Sequence, residues 1–118
     1  MIYLASPLSA NPEHNHQLTL EAAARMVAEG HIIYSPVVHC WPLHLAAELP
    51  SSFAFWQRHN FGILRNASEL WVLDIPGWQT STGVQAELEF AKLAHIPCRI
   101  VDPKGLTLRE LPPTWSVD

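Results

Sequence analysis

A glutamate at position 87 falls where a helix should be burying apolar surface. In the run Ser81-Thr82-Gly83-Val84-Gln85-Ala86-Glu87-Leu88-Glu89-Phe90-Ala91, Thr82 followed by Gln85 reads as a capping box. The helix is therefore expected to begin at Gly83, with its first free N–H groups near Ser81 and Thr82, an end that can hold an anion. At about 100° per residue, Val84, Leu88, Ala91 and His95 share one face and Glu87 flanks it, while Glu89 points away with Gln85 and Lys92. Glu89 is explained by a solvated face. Glu87 is not, because an ionised carboxylate beside a core is costly unless it has partners or a function. It is either a group that works on a ligand or a structural acid satisfied by Tyr3 or backbone donors.

The elements that must aim this helix are legible on either side of it. Ile2-Tyr3-Leu4-Ala5 predicts a strand ending in the loop Ser6-Pro7-Leu8-Ser9. Asn11-Pro12-Glu13 then starts a helix that runs to about Glu29 and stops at Gly30. His31 to Ser35 is the next strand, so the chain opens on a βαβ unit with a right-handed crossover and a parallel sheet. Pro36 to Ser52 reads as irregular, and it lies past the C-terminal edge of that strand, where open α/β sheets bind ligands. His39, Trp41 and His44 in that stretch can form a pocket wall or pack as an ordinary apolar loop.

Phe53 to Asn66 predicts a helix on which Phe53, Trp56, Asn60, Ile63 and Leu64 recur at helical spacing, which puts Asn60 among apolar neighbours. Glu69 to Asp74 is a strand of the kind buried on both faces, ending with Asp74 at the functional edge of the sheet. Asp74 there can act chemically or simply cap a turn. Cys98 to Val101 is the fourth strand. The expected fold class is α/β: a single-domain, three-layer Rossmann or flavodoxin-like fold with a four- or five-stranded, mostly parallel sheet. Residues 1–103 form the α/β unit, and residues 104–118 a short helix over Lys104 to Glu110 followed by an extended arm anchored by Trp115.

Composition narrows the ligand. With 118 residues the chain suits one domain with a real core. A net charge of -4 with only 7 Lys+Arg argues against binding a nucleic-acid polymer, which requires a basic surface, and favours a small molecule. No apolar run approaches the roughly 20 residues of a membrane span and the start lacks a basic leader, so a cytoplasmic protein with no membrane partner is expected. Cys40 and Cys98 fit a reduced compartment. His39, Cys40, His44 and Glu48 match no established metal spacing, so neither a metal nor another cofactor is expected.

The element order, the opening Ile2-Tyr3-Leu4-Ala5-Ser6-Pro7, and Asp74 followed by Ser81-x-Gly83-Val84-x-x-Glu87-Leu88-x-x-Ala91 resemble the nucleoside 2-deoxyribosyltransferase superfamily. That superfamily includes deoxynucleoside 5′-monophosphate N-glycosidases, and the resemblance runs from Met1 to about Val101. It implies a nucleophile at Glu87, a tyrosine at Tyr3 that helps hold it, and a serine at Ser81 that can meet the 5′ end of a nucleotide. It also implies a homodimer or larger homo-oligomer, for which Trp41, Trp78 and Trp115 are expected to offer surface.

The chemistry suits these residues, since breaking an N-glycosidic bond develops positive charge on the sugar that a carboxylate can stabilise or capture. Asp74, Asn60 and a histidine of the 36–52 stretch are the candidates to serve the leaving base. Ser6, Pro7, Leu8, Ser9, His39, Trp41, Trp56, Ser81 and Gly83 are the expected substrate contacts. Two departures from the family pattern matter. Asn60 stands where an aspartate is usual, and Asn cannot be a general acid. The Ser6–Ser9 loop also lacks the arginine of phosphate-preferring members. A nucleoside and a 5′-monophosphate, hydrolysis and transfer, and a non-catalytic nucleotide-sensing module therefore all stay open.

Overall fold

The computed structural model describes residues 1–113 of the chain. Five strands, β1 (Ile2–Ala5), β2 (Ile33–Tyr34), β3 (Glu69–Leu73), β4 (Cys98–Val101) and β5 (Leu108–Glu110), form one sheet in the order β2-β1-β3-β4-β5. The first four are parallel, and β5 runs antiparallel to β4. Four helices, α1 (Pro12–Ala28), α2 (Pro36–Ala47), α3 (Phe53–Leu64) and α4 (Thr82–Leu93), complete a flavodoxin-like α/β fold. No helix among the described residues is long and apolar enough to cross a membrane.

The strands alternate between two apolar layers. Tyr3, Ala5, Leu70, Val72 and Ile100 pack on one face with Leu64, Val84, Leu88 and Ala91 of α3 and α4. Leu4, Trp71, Leu73 and Val101 pack on the other with Ala22, Ala23 and Met26 of α1. Burial on both faces is why β1 and β3 read as continuous apolar runs rather than as alternating ones. Because α1 covers one face while α3 and α4 cover the other, the chain leaves the ends of β1 and β3 in opposite directions and opens a crevice there.

Three expectations need correction. The Pro36–Ser52 stretch is not irregular: α2 occupies most of it, with Ser35 accepting a hydrogen bond from the Val38 N–H, Pro36 in the first turn and Glu48 ending it at φ 52°. Pro42 inside the helix removes only one backbone donor, and Val37 and Cys40 are buried on the helix's inner face. Lys104 to Glu110 is not a short helix. Asp102 accepts bonds from the N–H groups of Lys104 (3.1 Å) and Gly105 (2.6 Å), making a turn that returns the chain as β5. Trp78 is not a surface residue; it is 2% exposed and belongs to the core beside α4. The expected Trp115 arm lies outside the described residues.

Candidate active site

Ser81 caps α4 with its side chain, accepting from the Val84 N–H at 3.3 Å. Thr82, the expected cap, is instead the first helical residue, and Gln85 reaches back to the carbonyls of Trp78 and Gln79. This one-residue shift leaves the helix face unchanged. Val84, Leu88 and Ala91 enter the core, and Glu87 goes in with them, 5% exposed.

Glu87 is partnered there by Tyr3, itself fully buried on β1, whose hydroxyl donates to the Glu87 carboxylate. Burial disfavours the charged form and pushes the Glu87 carboxyl up to about 7, although the Tyr3 bond acts in the opposite direction. The Tyr3 hydroxyl is raised above its ordinary value by burial and by the neighbouring carboxylate, so it stays protonated and remains a donor. A carboxylate held in this way is ordered, largely dehydrated and able to ionise near neutrality.

A second polar group is assembled from β2, α2 and α3. Asn60, 5% exposed on α3, accepts at Oδ1 from the Tyr34 hydroxyl (3.1 Å) and the Cys40 thiol (3.6 Å). His59 Nε2 meets the same Tyr34 hydroxyl at 3.2 Å. Burial and the Cys40 contact raise Tyr34 above its ordinary value, and burial keeps Cys40 a thiol, so both carry hydrogens to place.

Glu87 and Asn60 line one cavity of about 640 Å³, formed by the segments that follow β1, β2 and β3. Of the expected substrate contacts, Ser6, Leu8, Ser9, Trp41, Trp56, Ser81 and Gly83 line it. The Ser6 loop is fastened to α1, where the Thr19 hydroxyl meets Ser6 at 3.1 Å and the Asn15 amide donates to the Leu8 carbonyl at 3.2 Å. Trp56 is oriented by its Nε1 bond to the Pro50 carbonyl (2.8 Å), and Trp41 stacks on His44 at 4.9 Å. His44, also on the lining, bonds through Nδ1 to the Leu49 carbonyl.

Tyr3 stands behind Glu87, in the holding position that the resemblance implies for it. Three other expected site residues lie off the lining, and of these Pro7 is buried. His39 is exposed and stacks on His59 at 5.3 Å and 6°. Asp74 is taken up by the Trp78 indole N–H (3.2 Å) and by Arg109 (3.1 Å), a partner that β5 supplies. Val37, Cys40 and Phe53 line the cavity and were missed. Val37, Cys40, Trp41 and His44 recur at helical spacing on α2, a signal hidden by reading that stretch as a loop.

No curated protein matches the chain. The fold is shared with a 2-deoxyribosyltransferase from Bacillus psychrosaccharolyticus at a TM-score of 0.62 and 22% identity, over 92% of this chain and 76% of that one. Residues 1–102 match the family described as Domain of unknown function (DUF1937), and with that much of its length matched the chain belongs to that family.

Proposed function

We propose that this protein cleaves or transfers the N-glycosidic bond of a (deoxy)nucleoside or nucleoside 5′-monophosphate, with Glu87 as nucleophile. The observation that carries the reading is the buried Glu87 carboxylate on the cavity wall, held by Tyr3. The shared fold adds support, the neighbour being described as a biocatalyst for the synthesis of nucleosides. The motif around Ser81, Gly83 and Glu87 adds more.

In this reading a Glu87 carboxylate oxygen bonds to C1′ as the C1′–N bond breaks, and the electron pair leaves with the base nitrogen, which takes a proton. Water or a second base then attacks C1′ and the glutamate departs as a carboxylate. Ser81 and Gly83, at the amino end of α4, take the 5′ end, with Ser6, Leu8 and Ser9 facing it. Trp41 and Trp56 offer flat apolar surface to the base. Asn60 contacts the leaving base, and His44 is the lining residue able to give it a proton. Asp74 and His39, both off the lining, take no direct part. Residues 1–103, together with β5, act as one catalytic unit, and assembly as a homo-oligomer, checked by light scattering, belongs to the same reading.

The test is incubation with a panel of deoxynucleosides and their 5′-monophosphates, with and without an acceptor base, and chromatography for released or exchanged base. The expected result is release by the native protein and a loss of roughly 10³-fold or more in Glu87→Ala. Equal release by both proteins overturns the assignment of Glu87. A second reading, a nucleotide-sensing module without turnover, is favoured by one observation: Glu87 is the only carboxylate on the lining among the described residues. Binding without base release identifies it.

A further inference from the structure

Among the described residues, Asn60 is the one lining residue whose amide is tied from behind by two other side chains. Its Oδ1 faces the Tyr34 hydroxyl at 3.1 Å and the Cys40 thiol at 3.6 Å. An amide oxygen has two lone pairs, so these two bonds use its acceptor capacity. Its Nδ2 meets no acceptor among the described residues and is not sealed from solvent, and the residue lines the cavity. Behind Tyr34 stands His59, with Nε2 3.2 Å from the hydroxyl. A phenol has a single hydrogen. Once it is given to Asn60, the phenol oxygen is left to accept, from His59 in its Nε2–H tautomer or from the Cys40 thiol 3.8 Å away, and the hydrogen runs from Tyr34 to Asn60, whose own N–H groups are left for the cavity.

We infer that Asn60 is a specificity-determining residue that offers the cavity only N–H donors, that Tyr34 and Cys40 are the positioning residues that fix its amide, and that the site therefore selects an oxo-base over the corresponding amino-base. The inference rests on the N-glycosidic reading for the ligand class. An unrestrained asparagine can serve an amino-base, its oxygen accepting from the exocyclic amine while its nitrogen donates to the ring nitrogen. Here the oxygen is occupied. An exocyclic amine opposite Nδ2 sets donor against donor and strands both, whereas a carbonyl oxygen accepts the bond. Orientation also depends on Tyr34 sitting beside Tyr3 on β1, since that register keeps its hydroxyl level with α3.

The experiment measures the dissociation constants of two matched pairs, deoxyinosine against deoxyadenosine and deoxyuridine against deoxycytidine, by calorimetry. Glu87→Gln is used, so that turnover does not intrude. The oxo member of each pair is expected to bind more tightly by about tenfold. Tyr34→Phe frees the amide to rotate and is expected to shrink that ratio toward one, and Asn60→Asp, which turns an acceptor to the cavity, to invert it. A purely structural role for Tyr34 would weaken all four ligands together and leave the ratio alone. Melting curves confirm that each variant is folded, and Cys40→Ala, which removes one of the two restraints, provides a milder version of the same shift. Equal affinities within both pairs, a ratio unchanged in Tyr34→Phe, or no binding of any of the four at millimolar concentration overturns the inference. Base release by the native protein is followed separately: oxo-selective binding without release sinks the catalytic reading and leaves this one standing, and release without oxo selectivity does the reverse.

Discussion

Tyr3 and Tyr34 are register partners on adjacent parallel strands, with ring centroids 5.7 Å apart, and each gives its hydroxyl hydrogen to a different polar group of the same cavity. Tyr3 holds Glu87 and Tyr34 holds Asn60. The sheet thus sets both groups from one side, through two residues whose relative position is a strand register rather than a loop conformation.

A nucleophilic Glu87 must be ionised, and its carboxyl titrates at about 7. Base release, as kcat/KM, is expected to rise with pH through about 7, falling roughly tenfold per pH unit on the acid side. Tyr3 lowers that value, so Tyr3→Phe is expected to move the midpoint upward. A pH–rate series on the two proteins checks both the position and the direction.

The same shift predicts how stability depends on pH. Between the ordinary carboxyl value of 4.5 and about 7 the folded protein keeps a proton on Glu87 that the unfolded chain has released, so stability falls as pH rises across that window and stays lower above it. Glu87→Gln removes this penalty while keeping an acceptor for Tyr3. It is expected to stabilise the protein at pH 8 by up to about 3 kcal/mol and to have little such effect at pH 4.5, read by denaturant unfolding at both values.

Asp74 is predicted to be a structural acid. Asp74→Ala loses the Trp78 and Arg109 contacts, with the ion pair half exposed and therefore worth little by itself. A stability loss of about 1–2 kcal/mol is expected, chiefly from the indole bond. The pH–rate midpoint should stay where Glu87 puts it, and a moved midpoint would return Asp74 to the chemistry.

Gly30 ends α1 at φ 94°, and a Cβ there would meet nothing within 4 Å. Gly30→Ala therefore isolates the backbone cost of that conformation from any clash. A loss of about 1 kcal/mol in denaturant unfolding is expected, with ligand affinity unchanged.

Much of this was legible along the chain, and the exceptions share a physical cause. The apolar runs of β1 and β3, the Asn11-Pro12 start of α1 and the Glu87 face of α4 are local patterns, so their periods and caps could be read directly. α2 carries a proline in its interior, Pro42, and the packing that offsets it, against α1 and β1, is not local. The restraint on Asn60 was hidden for the same reason: Tyr34 and Cys40 lie 26 and 20 residues away in sequence and meet it only across two elements. Asp74 stays open between a chemical and a turn-capping role along the chain, because its strand-end position is local while its partner Arg109 on β5 lies 35 residues away.

Gly83 carries a final implication. A Cβ on it would sit 3.4 Å from the Phe53 ring, and these two residues stand at the opening turns of α4 and α3 on the cavity lining. The position has room for a methyl, in ordinary van der Waals contact with that ring. On this stretch of the lining the width is thus set by a residue without a side chain, apart from Glu87 and Asn60, the two groups that give the site its polarity.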